Sequence, residues 1–416
     1  MFITTLTRAY LTRSLKPFLF TDEYDKVLPF TDCEGLGLYV HIPFCRQICK
    51  FCPYCKELYS EEKCSRYIQR LISEIHMVGS TLTERKQVTS LYIGGGTPAL
   101  AAEHLQEIIN AISEHFIITQ GIGAELHPDN VTPEILRTLK NAGVTKISIG
   151  IQSFGDKYLS VLGRKSFDSE KIAAALKEVQ FETVSMDFIF ALPHQTAEDL
   201  KTDIETAFAS GANHIAVYPF IDFSFTDSKI KAMKKREKRR LLDEITVFCE
   251  SKGYRRDSIW TFSNSDTAKY SSMTRDNFLG FGCSATTLLK DQFKINTFSL
   301  DEYMGRIDSG ELPTSLTIRF TQRQRMVYYL FWTAYSTEID PESFRNFFGV
   351  SLEKMYGREL RLAEKLGFVI QRGGIYKMTM KGAFYYHYYE NFYTLSYIDK
   401  MWGTMREEPF PLKMKL

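Results

Sequence analysis

Four cysteines crowd into one short stretch of the sequence. The string CRQICKFCPYC runs from Cys45 to Cys55 and places four thiols within eleven residues. Structural zinc sites usually take two cysteine pairs separated by a long spacer, and this spacing does not match that layout. Closely spaced thiolates on one loop are typical of iron–sulfur ligation. The stretch therefore predicts an iron–sulfur cluster, held either by Cys45, Cys49 and Cys52 or by these three and Cys55.

The role of Cys55 decides what such a cluster can do. If Cys55 is a fourth ligand, the cluster is closed and only passes electrons. If Cys55 does not bind, one iron stays open to a substrate or cofactor. The spacing alone leaves both possibilities open. If Cys55 is not a permanent ligand, it is an inert thiol, a labile ligand, or a donor of a proton or hydrogen atom.

Alternating strands and helices must position these thiols. Short β-branched runs predict strands at Leu38–Ile42, Ser90–Ile93, Gly123–Leu126, Lys146–Ile151, Val184–Phe190 and His214–Tyr218. Apolar residues three and four apart predict helices at Glu61–Val78, Ala102–Phe116, Pro133–Asn141, Ser169–Val179 and Thr196–Ser210. This β-then-α order predicts a parallel sheet with right-handed crossovers, either open or curled into a partial barrel.

A chemically distinctive motif follows every predicted strand. In strand order these are Cys45–Cys52, Gly94–Gly96, His127–Asp129, Gln152, Ala191–Gln195 and Pro219–Phe220. Active sites of (β/α) barrels lie at the carboxyl ends of the strands. The shared placement therefore favours an α/β fold with a partial (β/α)6 barrel.

Several strings resemble one known enzyme superfamily. The spacing C-x3-C-x2-C, with aromatic Phe51 before the third cysteine, resembles the signature loop of the radical S-adenosylmethionine (SAM) superfamily. The string YVHIPFC from Tyr39 resembles the oxygen-independent coproporphyrinogen III oxidase-like branch, which includes haem-modifying enzymes, haem chaperones and class C radical SAM methyltransferases. Further matching strings are GGGTP, AELHP with Glu125, SIGIQSF with Gln152, Arg164, MDFIFALPHQT with Asp187, and LGFGCSATT. The resemblance covers most of the chain and implies the same (β/α)6 fold.

The resemblance also implies cofactors and the residues that hold them. It implies a [4Fe–4S] cluster on three cysteines, one SAM on the open iron and a second SAM nearby, with Cys283 lining the pair. The implied cofactor contacts are Tyr39, Phe51, Gly95, Gly96, Thr97, Glu125, Gln152, Arg164, Asp187, Phe220 and Thr286. It further implies a one-electron donor such as flavodoxin or ferredoxin.

Residue type suggests how these contacts work. Arg164 can hold a carboxylate in a bidentate fork, and Glu125 and Asp187 can accept hydrogen bonds from ribose hydroxyls or an amino group. The glycines lack Cβ atoms, so a ligand can approach the backbone closely. Tyr39 and Cys55 are the catalytic candidates. Tyr39 can face a sulfonium through a cation–π contact, or it can be an ordinary inward-facing strand residue.

Composition restricts the class of protein. The chain has 416 residues, of which 44% are hydrophobic and 25% charged, which is typical of a folded protein. The net charge of +2 gives no general attraction for nucleic acid, and nucleic acid is not an expected partner. No apolar run approaches the roughly 18 residues of a membrane span. We expect a cytoplasmic protein, although residues 1–21 superficially resemble an organelle presequence.

Three regions are predicted along the chain. Residues 1–35 form an N-terminal arm, 36–317 the barrel with its extension, and 318–416 a helical, winged-helix-like accessory domain with a hairpin near Gly373. The basic run Lys229–Arg240 predicts a solvated helix face. The aromatic stretch Tyr385–Tyr397 predicts either core packing or a wall for a flat substrate.

These observations predict a radical SAM enzyme. It would cleave SAM to a 5′-deoxyadenosyl radical and modify an sp2 carbon of an aromatic or tetrapyrrole-like small molecule, by C-methylation, cyclopropanation or haem or porphyrin modification. One alternative is oxygen-independent oxidation of coproporphyrinogen III. A second is a haem-binding chaperone with vestigial radical chemistry, in which His41 or another histidine ligates haem. A third is a winged-helix regulator with a sensing cluster.

Overall fold

The computed structural model describes residues 2–264, 267 and 276–416. The strands are β1 (Leu19–Thr21), β2 (Leu36–Ile42), β3 (Phe44–Cys45), β4 (Glu57–Leu58), β5 (Lys86–Val88), β6 (Leu91–Gly95), β7 (Phe116–Ile118), β8 (Ile122–Leu126), β9 (Val144–Gln152), β10 (Thr183–Phe190), β11 (His214–Pro219), β12 (Arg255–Arg256), β13 (Thr261–Ser263), β14 (Asn277–Phe281), β15 (Thr286–Leu288), β16 (Gln292–Asn296), β17 (Thr314–Arg319), β18 (Glu338–Ile339), β19 (Val369–Arg372), β20 (Ile375–Met378) and β21 (Lys413–Lys415).

Helices connect and cover these strands. The α-helices are α1 (Phe2–Thr12), α2 (Glu61–Gly79), α3 (Leu105–His115), α4 (Pro133–Asn141), α5 (Asp156–Val161), α6 (Ser169–Glu178), α7 (Ala197–Ala209), α8 (Lys235–Ser251), α9 (Leu300–Asp308), α10 (Gln322–Tyr335), α11 (Pro341–Phe348), α12 (Leu352–Lys365), α13 (Met380–Tyr393) and α14 (Asp399–Glu407). A π-helical turn, Thr394–Ile398, joins α13 to α14.

The largest sheet confirms the predicted α/β architecture. Its order is β12-β13-β11-β10-β9-β8-β6-β2-β14-β15-β16-β17-β1-β21. The six strands β2, β6, β8, β9, β10 and β11 are mutually parallel neighbours in chain order, as the β-then-α pattern requires. β14 adds a parallel strand on the open side of β2. The carboxyl ends of seven parallel strands therefore meet along one edge.

Local sequence explains where these elements begin. β2 is buried on both faces apart from Tyr39, as expected of a central parallel strand covered on two sides. Thr132 caps α4 before Pro133, and Thr196 and Asp199 form a reciprocal capping box at α7. The predicted helix at 102–116 is shorter than expected. A 3-10 segment, Pro98–His104, precedes α3, because Pro98 starts a tight turn whose φ/ψ angles leave the helical range at Ala101.

The ends of the chain close the far side of the sheet. β1 pairs antiparallel with both β17 and β21, so the N-terminal arm and the last residues share one sheet edge. The predicted hairpin is present as β19 and β20, which pair around Gly373 and Gly374. Residue 1 of the predicted arm, and residues 265, 266 and 268–275 of the predicted barrel region, lie outside the described residues.

The structure changes part of the prediction for the basic run. Helix α8 begins only at Lys235, so residues 229–234 are not helical. Lys235 and Arg239 are exposed, as a solvated face requires, and each also lies over an aromatic ring of α13. The Lys235 ammonium is 3.2 Å from the Tyr388 ring centroid, and the Arg239 guanidinium is 4.4 Å from that of Phe384. Cation–π contacts therefore join the barrel helix to the aromatic-rich segment. Within the described residues, no helix is long and apolar enough to cross a membrane.

Candidate functional site

The cysteine loop is closed at its base by backbone pairing. β3 and β4 pair in parallel, with Cys45 opposite Leu58. The Glu57 amide donates to the Pro43 carbonyl at 2.7 Å, and the Tyr59 amide donates to the Cys45 carbonyl at 2.9 Å. The loop therefore leaves and re-enters the sheet edge at one point, directly after β2.

Three thiols of this loop lie close enough to act electrostatically on one another. Burial raises the pKa of Cys45 to about 11 and raises that of Cys52, and the neighbouring thiols act in the same direction on both. The Lys56 ammonium donates to the carbonyls of Cys49 and Cys52, which fixes the turn between them. The Thr97 hydroxyl lies 3.8 Å from the Cys45 sulfur. Three partly buried thiols thus share one concave loop.

Cys55 points elsewhere. Its sulfur is 3.7 Å from the Cys283 sulfur and 3.3 Å from the Phe298 carbonyl oxygen. Both cysteines are buried, at 6% and 0% exposure. The side chain therefore turns into the body of the protein, away from the other three thiols.

This donor set fits a [4Fe–4S] cluster with one iron free of protein ligands. Three thiolates can occupy three irons, and the next cysteine along the chain contacts Cys283 instead. Metal binding would convert the three thiols to thiolates, because iron favours the deprotonated ligand. The three-ligand assignment stays a prediction, and the contact of Cys55 with Cys283 is the observation that favours it.

A hydrogen-bonded chain leads from the cluster loop into the barrel. The Nε2 atom of His41 lies 3.2 Å from the Cys55 carbonyl oxygen, and its Nδ1 atom lies 2.9 Å from the Tyr39 hydroxyl. Since a carbonyl can only accept, we assign the proton to Nε2, and Nδ1 then accepts from Tyr39. Burial lowers the pKa of His41 to about 4, so the ring is neutral.

Glu125 lies at the glycine motif. Its carboxylate accepts from the Gly95 amide at 3.0 Å and from the Tyr92 hydroxyl at 3.0 Å. Burial raises the pKa of Glu125 to about 7. The space that the missing Cβ atoms of these glycines leave is filled by other atoms of this protein. A Cβ on Gly94 would lie 3.0 Å from the Glu125 carboxylate, and one on Gly96 would lie 2.6 Å from the Phe44 carbonyl oxygen.

Asp187 is a second, half-buried acid on β10, which is separated from the strand of Glu125 by β9. It accepts from the hydroxyls of Ser148 at 2.8 Å and Ser185 at 3.2 Å. Burial raises the pKa of Asp187 to about 6, and its charge helps to raise the pKa of Glu125. Two acids with raised pKa values therefore lie close enough for the charge of one to affect the other.

Arg164 joins the strand edge to the cysteine loop. Its guanidinium donates to the Gly150 carbonyl and also contacts the Cys49 thiol. Burial lowers the pKa of Arg164 from its ordinary value. Gln152, the last residue of β9, has a positive φ of 70°, a conformation uncommon for a residue with a side chain. The strand end is therefore shaped to turn sharply beside this arginine.

The remaining predicted cofactor contacts, Phe51, Phe220 and Thr286, lie in two separate places. Phe51 packs against the apolar cluster that contains buried Phe220, so the loop aromatic and the residue after β11 come together. Thr286 starts β15, which is two strands away from β2 in the sheet. Its backbone approaches Gly280 so closely that a Cβ there would lie 2.1 Å from the Thr286 carbonyl oxygen.

Comparison with known proteins assigns this region. The sequence model of the radical SAM superfamily matches residues 39–207, which run from Tyr39 through the cysteine loop to α7. Residues 39–207 are a radical SAM domain. Radical SAM domains use a [4Fe–4S] cluster and SAM, the two cofactors expected from the sequence.

Relatives of known role match beyond the radical SAM domain. The heme chaperone HemW of Bacillus subtilis is 26% identical over 346 residues, which cover 79% of this chain and 91% of the relative. The oxygen-independent coproporphyrinogen III oxidase of Helicobacter pylori is 26% identical over 316 residues, which cover 69% of each chain. The similarity therefore extends to proteins with two different roles.

A solved structure shares the whole architecture. The coproporphyrinogen III oxidase HemN of Escherichia coli, a radical SAM enzyme, superposes with a TM-score of 0.76 over 92% of this chain and 95% of that one, at 22% identity. The fold of the radical SAM domain and of the C-terminal helices is thus a known one.

Sequence reasoning missed two residues, Glu74 and Tyr92, whose hydrogen bonds hold neighbouring elements in place. Glu74 on α2 is fully buried and accepts from the Gly282 amide at 2.7 Å, the Tyr303 hydroxyl at 2.7 Å and the Asn296 side-chain amide at 2.9 Å. A signal was available, because Glu74 falls on the apolar stripe of α2. Tyr92 could also have been found, since it lies directly opposite Tyr39 in the sheet register.

Proposed function

We propose that this protein is a radical SAM enzyme that modifies a tetrapyrrole-like small molecule. The observation that carries the proposal is the separation of the four loop thiols. Cys45, Cys49 and Cys52 act electrostatically on one another, whereas Cys55 contacts Cys283. When bound there, a reduced [4Fe–4S] cluster cleaves SAM to methionine and a 5′-deoxyadenosyl radical.

The chain's own residues bind and orient SAM in this proposal. Arg164, which already contacts Cys49, is placed to pair with the SAM carboxylate at the open iron. Glu125 and Asp187 exchange their present partners for ribose hydroxyls or the amino group. Gly95, Gly96, Thr97 and Gln152 line the strand ends next to them. Phe51 and Phe220 form an apolar wall that excludes water from the radical.

A second SAM is part of the proposal. Tyr39 stacks on Tyr92 with an interplanar angle of 15°, and the Tyr92 hydroxyl donates to Glu125, so that aromatic rings lie beside this acid. Such a face suits a sulfonium cation. We place this second molecule towards Thr286 and Cys283, across β14. It would act as a methyl donor or as a second radical source.

The substrate class rests on chemistry and on relatives together. Both relatives described above act on tetrapyrroles by their names, and the chain carries a dense aromatic segment along α13. We propose a haem or porphyrin ring as the substrate and modification of a ring carbon as the reaction. Oxidation of coproporphyrinogen III, as in the oxidase relative, is an alternative within the same class.

A haem chaperone is the second candidate, because the HemW relative aligns over 91% of its own length. The structure argues against His41 as its haem ligand. Both ring nitrogens of His41 have protein partners, and the ring is buried. A chaperone would need another ligand.

One anaerobic experiment separates the two candidates. The reconstituted protein is incubated with SAM and dithionite, with haem or coproporphyrinogen III added in separate reactions, and 5′-deoxyadenosine is quantified by mass spectrometry. The enzyme proposal expects 5′-deoxyadenosine and a tetrapyrrole of altered mass, both lost in Cys49→Ala. Tight stoichiometric haem binding without 5′-deoxyadenosine would overturn it.

A further inference from the structure

Cys55 and Cys283 come from distant parts of the chain and meet at the edge of the barrel where the parallel strands end. Cys55 lies in the loop after β2, and Cys283 lies two residues after β14. Because β2 and β14 are parallel neighbours, with Val40 opposite Phe281, both thiols lie beyond carboxyl strand ends. They therefore share the edge that carries the three cluster thiols.

The two sulfurs are in contact and held in place. They lie 3.7 Å apart, a contact distance, whereas a covalent S–S bond measures about 2.05 Å. Consecutive carbonyls hold them, with Cys283 Sγ 3.2 Å from the Thr297 oxygen and Cys55 Sγ 3.3 Å from the Phe298 oxygen.

The backbone on the Cys283 side is rigid. The Cys283 amide donates its hydrogen bond to the Tyr67 hydroxyl at 3.0 Å, and the Gly282 amide donates to Glu74. A Cβ on Gly282 would lie 2.5 Å from the Tyr67 hydroxyl. The fold thus builds a fixed platform for this thiol.

Water reaches one member of the pair. A cavity of about 340 Å³ is lined by Cys55, Lys56, Phe298 and Arg406, among others. On the other side, the Cys55 carbonyl connects through His41 to Tyr39 inside the barrel. The dithiol therefore lies between the barrel interior and this cavity, which offers a route for exchange of its hydrogens with solvent.

We propose that Cys55 and Cys283 form a dithiol that donates a hydrogen atom to a carbon radical in this site. This inference rests on the proposed function, which supplies the radical. The S–H bond of Cys55 breaks homolytically and a C–H bond forms on the organic radical. The sulfur radical left on Cys55 then bonds to the Cys283 sulfur, whose proton is released, and the pair becomes a disulfide radical anion.

The cycle closes with the electron donor that the proposed function already requires. One electron and two protons convert the disulfide radical anion back to two thiols. In sum, one carbon radical, one electron and one proton become one C–H bond. Two sulfurs serve better than one, because the second sulfur delocalises the unpaired electron and prevents a lone sulfur radical from attacking the protein.

The first test measures the incorporation of deuterium into 5′-deoxyadenosine and needs no added tetrapyrrole. The reconstituted protein is incubated anaerobically with SAM and dithionite in D2O, so that thiol hydrogens become deuterium, and the 5′-deoxyadenosine recovered is analysed for deuterium. We expect deuterium in the wild-type product and its loss in Cys55→Ser and Cys283→Ser, because a serine hydroxyl does not donate a hydrogen atom. Cys64→Ser, a change at another buried thiol, is the matched control and should keep the label.

Unchanged deuterium in both serine variants, or an unlabelled wild-type product, overturns the dithiol inference while the radical enzyme stands. If the wild type makes no 5′-deoxyadenosine, the proposed function fails instead.

A second measurement then still tests the Cys55–Cys283 pair. The holoprotein is treated with oxidised glutathione and mapped by peptide mass spectrometry. A Cys55–Cys283 cross-link, two hydrogens lighter than the reduced peptides, is expected, and its absence overturns the inference.

Discussion

The Tyr39 hydroxyl lies 2.9 Å from the Nδ1 atom of His41, on the strand that leads into the cluster loop. The opposite ring nitrogen reaches the Cys55 carbonyl. A neutral imidazole therefore fixes an aromatic residue of the barrel interior and the end of the cysteine loop at the same time. Both bonds need the ring to be neutral with its proton on Nε2.

The first prediction concerns the pH dependence of stability. Burial lowers the pKa of His41 from its ordinary 6.5 to about 4 in the folded protein. The unfolded chain therefore takes up the proton first as the pH falls through 6.5, and stability is lost until the folded form is protonated near pH 4. The wild type should lose about 3 kcal/mol more than His41→Gln over this window. Urea unfolding at several pH values under anaerobic conditions measures it.

Tyr39→Phe serves as the control for this prediction. It keeps the imidazole, so its pH slope should follow the wild type, while its free energy of unfolding falls by about 1 kcal/mol at every pH because one hydrogen bond is lost. Equal slopes in the wild type and His41→Gln would contradict the assignment of a neutral, buried His41.

The second prediction concerns the ligands of the cluster. Cys45→Ala, Cys49→Ala and Cys52→Ala should each lose the [4Fe–4S] cluster after reconstitution, because each removes one of three thiolates. Cys55→Ala should retain it, since that sulfur contacts Cys283 instead. Iron and sulfide content, with EPR of the reduced protein, measure the outcome. Cys64→Ala is the control for removal of a buried thiol, and loss of the cluster in Cys55→Ala would refute the three-ligand assignment.

The sequence predicted the framework of the site because spacing and periodicity are local. The strands β2 and β9 follow from apolar runs, and the motifs at their ends follow from chain order, so that Cys45 and Gln152 could be placed on one edge. The contact of Cys55 with Cys283 could not be predicted, because it joins residues 228 apart through a seventh parallel strand. Single-sequence periodicity contains no information about such pairing.

The sequence also did not show which atoms make the glycine run necessary. Composition alone suggested clearance for a ligand, whereas at Gly96 the nearest atoms are those of Pro43 and Phe44. Long-range packing decides which atoms use the space that a missing Cβ leaves. In the same way, the contact of the exposed Lys235 ammonium with the Tyr388 ring joins residues far apart in the chain, and nothing in the sequence near Lys235 indicates it.

The third prediction concerns SAM affinity. Arg164→Lys should weaken SAM binding about tenfold, because an ammonium cannot form the bidentate pair with a carboxylate that a guanidinium forms. The cluster should remain, since Arg164 contacts Cys49 but contributes no thiol. Equilibrium dialysis of SAM against the reconstituted protein measures the dissociation constant. Arg137→Lys, a change in an exposed ion pair with Glu178, is the matched control and should bind SAM like the wild type. Unchanged affinity in Arg164→Lys would remove this residue from the SAM site.

The fourth prediction concerns the buried acid behind the site. Asn296 bridges Glu74 to Lys294, whose ammonium lies 3.2 Å from the Asn296 oxygen, and burial lowers the pKa of that lysine to about 8. Glu74→Ala leaves the lysine buried without a counter-charge and strips the Gly282 amide of its acceptor. We expect a loss of about 3–5 kcal/mol in the free energy of unfolding.

The double variant Glu74→Leu with Lys294→Met tests why that loss occurs. Removing both charges and filling the space should recover much of the stability, because an unpaired buried charge costs more than an apolar replacement of the pair. Urea unfolding of the single and double variants measures the coupling between the two sites. Glu62→Ala, at an exposed position in the first turn of α2, should change stability little and controls for loss of a carboxylate from this helix. If the double variant is no more stable than Glu74→Ala, the network acts through the hydrogen bonds to Gly282 and Tyr303, and charge compensation contributes nothing.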